Sequence, residues 1–137
     1  MFLEHVNMSV ADLDRSIRFY EQLLGLQVRW RGTTASGEPA AHIGAAGQYL
    51  ALFEVVGARA PEPAYDRPGL NHFGWVVDDL DAARQRLAVL NVRPHYEADY
   101  EPGRRLYFYD PDGNDWEFVQ YLSEDPALRH DYTLPDK

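Results

Sequence analysis

The chain has 137 residues, one domain's worth at roughly 100–200 residues per domain. Forty-five per cent of them are hydrophobic, and 3 Trp, 9 Tyr and 6 Phe supply enough apolar mass for a real core, so the chain is not disordered. Thirteen Lys and Arg against 22 Asp and Glu leave a net charge of −9, which repels a phosphate backbone and argues against a nucleic-acid partner. With no cysteine there are no disulfides, thiolate nucleophiles, cysteine zinc sites or iron–sulfur clusters. No apolar run reaches the roughly 20 residues of a membrane helix, so no membrane partner is expected. The start, Met-Phe-Leu-Glu-His, lacks a basic segment followed by an apolar one, so no signal peptide is expected and the cytoplasm is the default location.

In chain order, residues 3–10 read as a strand. Asp12 is placed to cap a helix, because its carboxylate can accept from the free N–H groups of the first turn. Leu13, Ile17, Tyr20 and Leu24 give that helix one apolar face, and Gly25 ends it. Strands follow near 27–31, 40–46 and 48–56. Residues 58–69 form a Pro- and Gly-rich linker. A strand at 70–77, a helix at 79–90 opening on Asp79, and strands near 95–100, 104–110 and 114–121 complete the order. Asp110-Pro111-Asp112-Gly113-Asn114 is a turn, with Pro presetting φ and Gly permitting a positive one. A polar tail occupies 123–137.

The two halves are a repeat. Sliding the chain by 67 residues lays Leu3-Glu4-His5 on Leu70-Asn71-His72, and Asp12-Leu13-Asp14 on Asp79-Leu80-Asp81. At the far ends, Phe53-Glu54-Val55-Val56 resembles Trp116-Glu117-Phe118-Val119 at 63 residues. The expected fold is α+β: two βαβββ modules, about 1–57 and 70–122, whose curved sheets form a cup.

The repeat duplicates possible metal ligands. Each half has a His near its first strand and a Glu in its last: His5 and Glu54, then His72 and Glu117. Alternation puts Asn7 and Ser9 on the face of His5, as candidate substrate contacts, and Leu50, Leu52 and Val56 on the face of Glu54. A carboxylate among those apolar neighbours is costly to bury alone, and a divalent cation would offset the cost. Imidazole with carboxylate suits nickel, cobalt, manganese, ferrous iron or zinc. His42, His95 and His130 have no such partners and are set aside as surface or structural residues, although His42 could line a pocket.

These residues resemble those of the vicinal oxygen chelate superfamily. It includes glyoxalase I, fosfomycin-resistance proteins, bleomycin-binding proteins, methylmalonyl-CoA epimerase and extradiol dioxygenases. The resemblance spans residues 3–121. It is carried by His5, the segment from Asp12 to Tyr20 with Leu24-Gly25, His72 before Asp79-Leu80, and Asp110-Pro111-Asp112-Gly113 with Glu117. It implies paired βαβββ modules around a metal, a small-molecule substrate and a homodimer. His5, Glu54, His72 and Glu117 match the His, Glu, His, Glu order of glyoxalase I. That implies a lyase or isomerase in which the ion binds vicinal oxygens and stabilises an enediolate, while Glu54 or Glu117 moves the proton. Ser9 and Ala58 stand where the glutathione-dependent bacterial enzymes commonly have Arg and Asn, which argues against glutathione.

Two other readings remain open. An extradiol-type dioxygenase would use ferrous iron on His5, His72 and Glu117, with Tyr107 as acid/base or substrate contact. A metal-free resistance protein would stack a flat ligand on Trp30, Trp75, Trp116 and the tyrosines. Fosfomycin-type thiol transfer resembles a His-His-Glu arrangement, for which Glu54 is one residue too many.

Overall fold

The computed structural model describes residues 1–62 and 65–133. The chain divides into two compact units, residues 1–60 and 61–137. Each is a four-stranded sheet with a helix against one face, so the protein is α+β.

The first unit contains β1 (His5–Val10), α1 (Leu13–Leu24), β2 (Gln27–Thr33), β3 (Pro39–Gly44) and β4 (Tyr49–Glu54). The strand order is β1-β4-β3-β2, with β1 parallel to β4 and the other pairs antiparallel. A parallel pair needs a crossover, and α1 with β2 and β3 supplies it. Asp12 caps α1 as expected, accepting from the Arg15 N–H at 2.8 Å. Gly25 closes the helix at φ 67°, a left-handed conformation that Gly adopts at little cost. The apolar face of α1 buries Leu13, Ile17, Phe19, Tyr20 and Leu23 against β3 and β4, in a core that also holds Met8, Val10, Ala41, Ile43, Leu50 and Leu52. Leu23 is buried more fully than the expected Leu24. Burying each such side chain contributes about 1.5–3 kcal/mol.

The second unit repeats the order with β5 (Phe73–Val76), α2 (Leu80–Val89), β6 (Tyr96–Tyr100), β7 (Gly103–Tyr109) and β8 (Asp115–Tyr121), arranged β5-β8-β7-β6. Asp79 caps α2 through the Ala82 N–H at 2.9 Å. Leu80, Leu87, Leu106, Phe108, Trp116 and Phe118 form its core. The tail holds a short helix, α3 (Pro126–Arg129), capped by Asp125.

The Asp110 turn is built as its sequence spells it. Asp110 Oδ1 accepts from the backbone N–H of Asp112 and of Asn114, each at 2.9 Å, and Oδ2 from Asn114 Nδ2 at 2.8 Å and Trp116 Nε1 at 3.3 Å. Gly113 sits at φ 87°, where a side chain would be strained. This buried carboxylate fixes where β8 begins, and therefore which way Asp115 and Glu117 point.

Each sheet has a helix-covered face and an open face. In unit 2 the open face carries Gly74, Arg105, Tyr107, Asp115 and Glu117; in unit 1 it carries His5, Asn7, Ser9, Tyr49, Ala51 and Phe53. Trp75 and Trp116 lie on the helix-covered side, with Trp116 fully buried and their rings stacked 6.1 Å apart. Trp116 is a core residue and Trp75 is part-buried on the helix-covered side, so neither stands on the open face, contrary to the expectation for those two. Trp30 is half exposed on the open side, beside His42 at 5.0 Å.

Candidate metal centre

In unit 2 the open face gathers ionisable groups around Glu117. Glu117 pairs with Gly74 on β5 and with Tyr107 on β7. His72 immediately precedes β5 and brings Nε2 to 3.2 Å from Glu117 Oε2. Two ligands meeting at a right angle on one ion, with bonds of about 2.1 Å, would lie about 3 Å apart. The pair therefore fits two neighbouring positions of a divalent cation. Gly74 leaves room beside the pair, and a Cβ there would make only an ordinary contact, 3.7 Å from Glu117 Oε2.

Outer partners hold both side chains. Tyr65 Oη lies 3.2 Å from His72 Nδ1, which leaves Nε2 as the nitrogen turned to Glu117. Glu117 Oε1 accepts from the Tyr107 hydroxyl at 2.8 Å and forms an ion pair with Arg105 Nε at 3.3 Å. Oε1 is thus held by neighbours while Oε2 faces the histidine. Such orientation of ligands by their own hydrogen-bond partners is a usual feature of metal sites. Arg105 is itself buried, donating to the Gly103 carbonyl at 2.7 Å and to the Tyr132 hydroxyl at 3.3 Å. Its positive charge offsets the cost of burying Glu117. Burial, the bond to Glu117 and the nearby carboxylate push the Tyr107 phenol far above its usual range. Tyr107 therefore stays protonated and serves as a donor to Glu117, not as a base.

His5 lies on the open face of unit 1, stacked on Tyr49 at 4.9 Å. Its Nδ1 is 3.0 Å from Glu4 Oε2, so Nδ1–H donates and Nε2 carries the lone pair. Asn7 and Ser9 share that face, and Asn7 lines a recess of about 800 Å³ with Thr34, Glu38 and Phe53.

Glu54 is placed elsewhere. It pairs with Val10, whereas His5 pairs with Tyr49, so the two occupy opposite ends and opposite faces of the β1–β4 pair. Its Oε2 accepts from the Leu13 N–H at 2.9 Å, at the positive end of α1. Unit 2 repeats this contact with an amide: Gln120 Oε1 accepts from the Leu80 N–H at 3.2 Å. The strand register therefore equates Glu54 with Gln120, and Glu117 with Ala51. Matching Phe53-Glu54 to Trp116-Glu117 is three residues out of register. An odd slip in a strand moves a side chain to the other face. The structure brings His72, Glu117 and Tyr107 together and does not bring Glu54 to His5. Among the described residues no three His, Asp or Glu side chains converge tightly enough to hold an ion unaided.

Sequence reasoning set His95 aside, yet its Nε2 lies 2.9 Å from Asp115 Oδ1. With Tyr65, His72, Tyr96, Tyr107 and Tyr109 the pair lines a recess of about 450 Å³. Strand alternation does put Asp115 on the face of Glu117, two residues before it, but it does not pair Asp115 with His95. Tyr65 left no such signal, because it lies in the connecting segment.

The sequence matches the Glyoxalase/Bleomycin resistance protein/Dioxygenase superfamily over residues 2–118, and the chain belongs to that family. Among its relatives, a probable trivalent organoarsenical cleaving enzyme of Bacillus subtilis is 28% identical, covering 93% of this chain and 85% of the relative. A metallothiol transferase FosB of Lysinibacillus sphaericus is also 28% identical, over 98% of this chain and 91% of the relative. A glyoxylase/bleomycin resistance protein/dioxygenase domain from a Frankia species superposes with a TM-score of 0.76 at 27% identity, covering 88% of this chain and 98% of that one. A FosX from Listeria monocytogenes, solved with Mn(II) and sulfate, shares the fold at a TM-score of 0.72 and 20% identity, over 93% and 96% of the two chains.

Proposed function

We propose that this chain is a divalent-metal-dependent enzyme that uses His72 and Glu117 as ligands, with His5 as the third, and acts on a small molecule presenting two neighbouring oxygens. The observation that carries this reading is the approach of His72 Nε2 to Glu117 Oε2, with both side chains held from behind by Tyr65, Tyr107 and Arg105. The bound ion would supply Lewis-acid polarisation of substrate oxygen. Tyr107 holds one oxygen of Glu117 and keeps the other turned to His72. A homodimer is part of the same reading.

The set is two histidines and one carboxylate, and this changes the chemistry from that expected above. Glu54 caps α1 and supplies no second carboxylate for a glyoxalase-type proton transfer. With Glu54 removed, the ligands agree with the His-His-Glu pattern of fosfomycin-type enzymes. We therefore favour metal-assisted attack of a thiol on an electrophilic small molecule, the class of activity named for the metallothiol transferase relatives. A second reading, oxygen-dependent cleavage on ferrous iron, uses the same three ligands and is favoured by the Tyr107–Glu117 contact.

The test is an assay of protein purified without chelators and then loaded with Mn(II) or ferrous iron. It would be offered an epoxide with cysteine or glutathione, the hemithioacetal of methylglyoxal, and catechol with oxygen. Thiol loss with the epoxide that requires Mn(II) is the expected result. Oxygen uptake confined to the ferrous form would select the second reading, and isomerisation of the hemithioacetal would restore the glyoxalase one.

A further inference from the structure

The recess beside His72 contains a pair that the metal reading does not use. Asp115 is a carboxylate only 5% exposed, and it is aimed at His95 Nε2 from 2.9 Å. Several contacts fix the imidazole. Its ring stacks on Tyr109 at 4.4 Å, and its backbone N–H donates to the Tyr107 carbonyl at 2.9 Å. About a third of its side chain stays open, 33% by exposed area, so the ring is both anchored and reachable. In the neutral ring Nε2–H donates to Asp115, and Nδ1 is then the nitrogen with the lone pair.

The other groups of the lining are poor proton acceptors. The Tyr65 and Tyr107 hydroxyls are already engaged, at His72 Nδ1 and at Glu117 Oε1. His72 has Tyr65 at one nitrogen and Glu117 at the other. Asp115 is committed to His95.

We propose that His95, oriented by Asp115, is the proton-accepting residue for a ligand hydroxyl bound in this recess. The inference rests on the metal reading above, because it places the hydroxyl beside His72. The ligand O–H bond breaks and its electron pair stays on oxygen, while the proton forms a new N–H bond at His95 Nδ1. The imidazolium so formed faces the Asp115 carboxylate, which compensates its charge. Carboxylate, imidazole and reacting hydroxyl in line is the arrangement by which a buried acid fixes the tautomer of a histidine base.

The probe is 4-nitrocatechol, whose two neighbouring oxygens suit the ion and whose colour distinguishes its singly from its doubly deprotonated form. It would be added at neutral pH to the Mn(II)-loaded protein, to His95→Gln and to Asp115→Asn, with Mn(II) affinity and circular dichroism measured on each. The wild-type complex should show the dianion. Both variants should keep their Mn(II) affinity and fold, yet hold the probe as the monoanion or bind it about ten-fold more weakly, the equivalent of about one unit in its second pKa. Dianion spectra and affinities equal to wild type in both variants would overturn the role of His95 and leave the metal reading intact. Probe binding that is absent from wild type, or indifferent to Mn(II), would overturn the metal reading and the role of His95 with it.

Discussion

The two units share one βαβββ plan but use their open faces differently. In unit 1 that face is a row of rings, His5 on Tyr49, Tyr49 beside His42 at 4.7 Å, and His42 beside Trp30 at 5.0 Å. The carboxylate of its last strand is turned away to cap α1. In unit 2 the equivalent cap is the neutral Gln120, and a carboxylate appears at the position where unit 1 has Ala51. Around it stand His72, Tyr107 and a buried Arg105. Duplicating a fold therefore duplicates its helix caps and core, because each unit needs them to fold. It need not duplicate a site, because a site is a choice of a few side chains on the uncovered face.

The largest effect expected from breaking this contrast concerns the turn that aims β8. Asp110 accepts four hydrogen bonds through its side chain there, whereas in the matching turn of unit 1 the Ala45 N–H donates to the Gln48 carbonyl at 3.0 Å. Asp110→Ala leaves buried donors unsatisfied and should cost about 3 kcal/mol in chemical denaturation, at the upper end for such groups. A loss below about 1 kcal/mol would mean that the turn is held by its Pro and Gly instead. Next comes the support behind His72. Tyr65→Phe removes the hydroxyl at Nδ1 and should weaken Mn(II) binding about ten-fold, as losses of outer partners commonly do, with little change in melting temperature.

A smaller effect is expected in alkali. Tyr107 holds its proton more tightly in the folded than in the unfolded chain. Its contribution to stability is full below the unfolded value of about 10 and is lost as pH rises through the higher folded value. Unfolding followed from pH 8 to 11 should therefore show a fall at the alkaline end that Tyr107→Phe reduces. An identical slope in the variant would contradict a protonated Tyr107 bonded to Glu117.

Much of this was legible in the sequence. Asp12, Gly25, Asp79 and the Asp110 turn announce themselves because capping and turn chemistry are local, fixed by residues a few positions apart. His5, His72 and Glu117 stand out in the sequence as a His and a Glu repeated in the two halves, and alternation then assigns their strand neighbours to a face. Glu54 was misread because residue type was matched across the repeat without the register. A Phe-Glu and a Trp-Glu look alike in sequence, yet here they lie on opposite faces of equivalent strands. The His95–Asp115 pair was missed because its partners are 20 residues apart and meet through the β6–β7–β8 register, which one sequence does not reveal.

The most direct test of the central claim is Mn(II) titration of the wild type beside His72→Ala, Glu117→Gln and Glu54→Gln. The account predicts saturable binding to wild type, a loss of at least about ten-fold in affinity for His72→Ala and Glu117→Gln, and unchanged binding for Glu54→Gln, which copies the cap that unit 2 already has. Loss of metal in Glu54→Gln equal to that in Glu117→Gln, or no binding to the wild type, would contradict it.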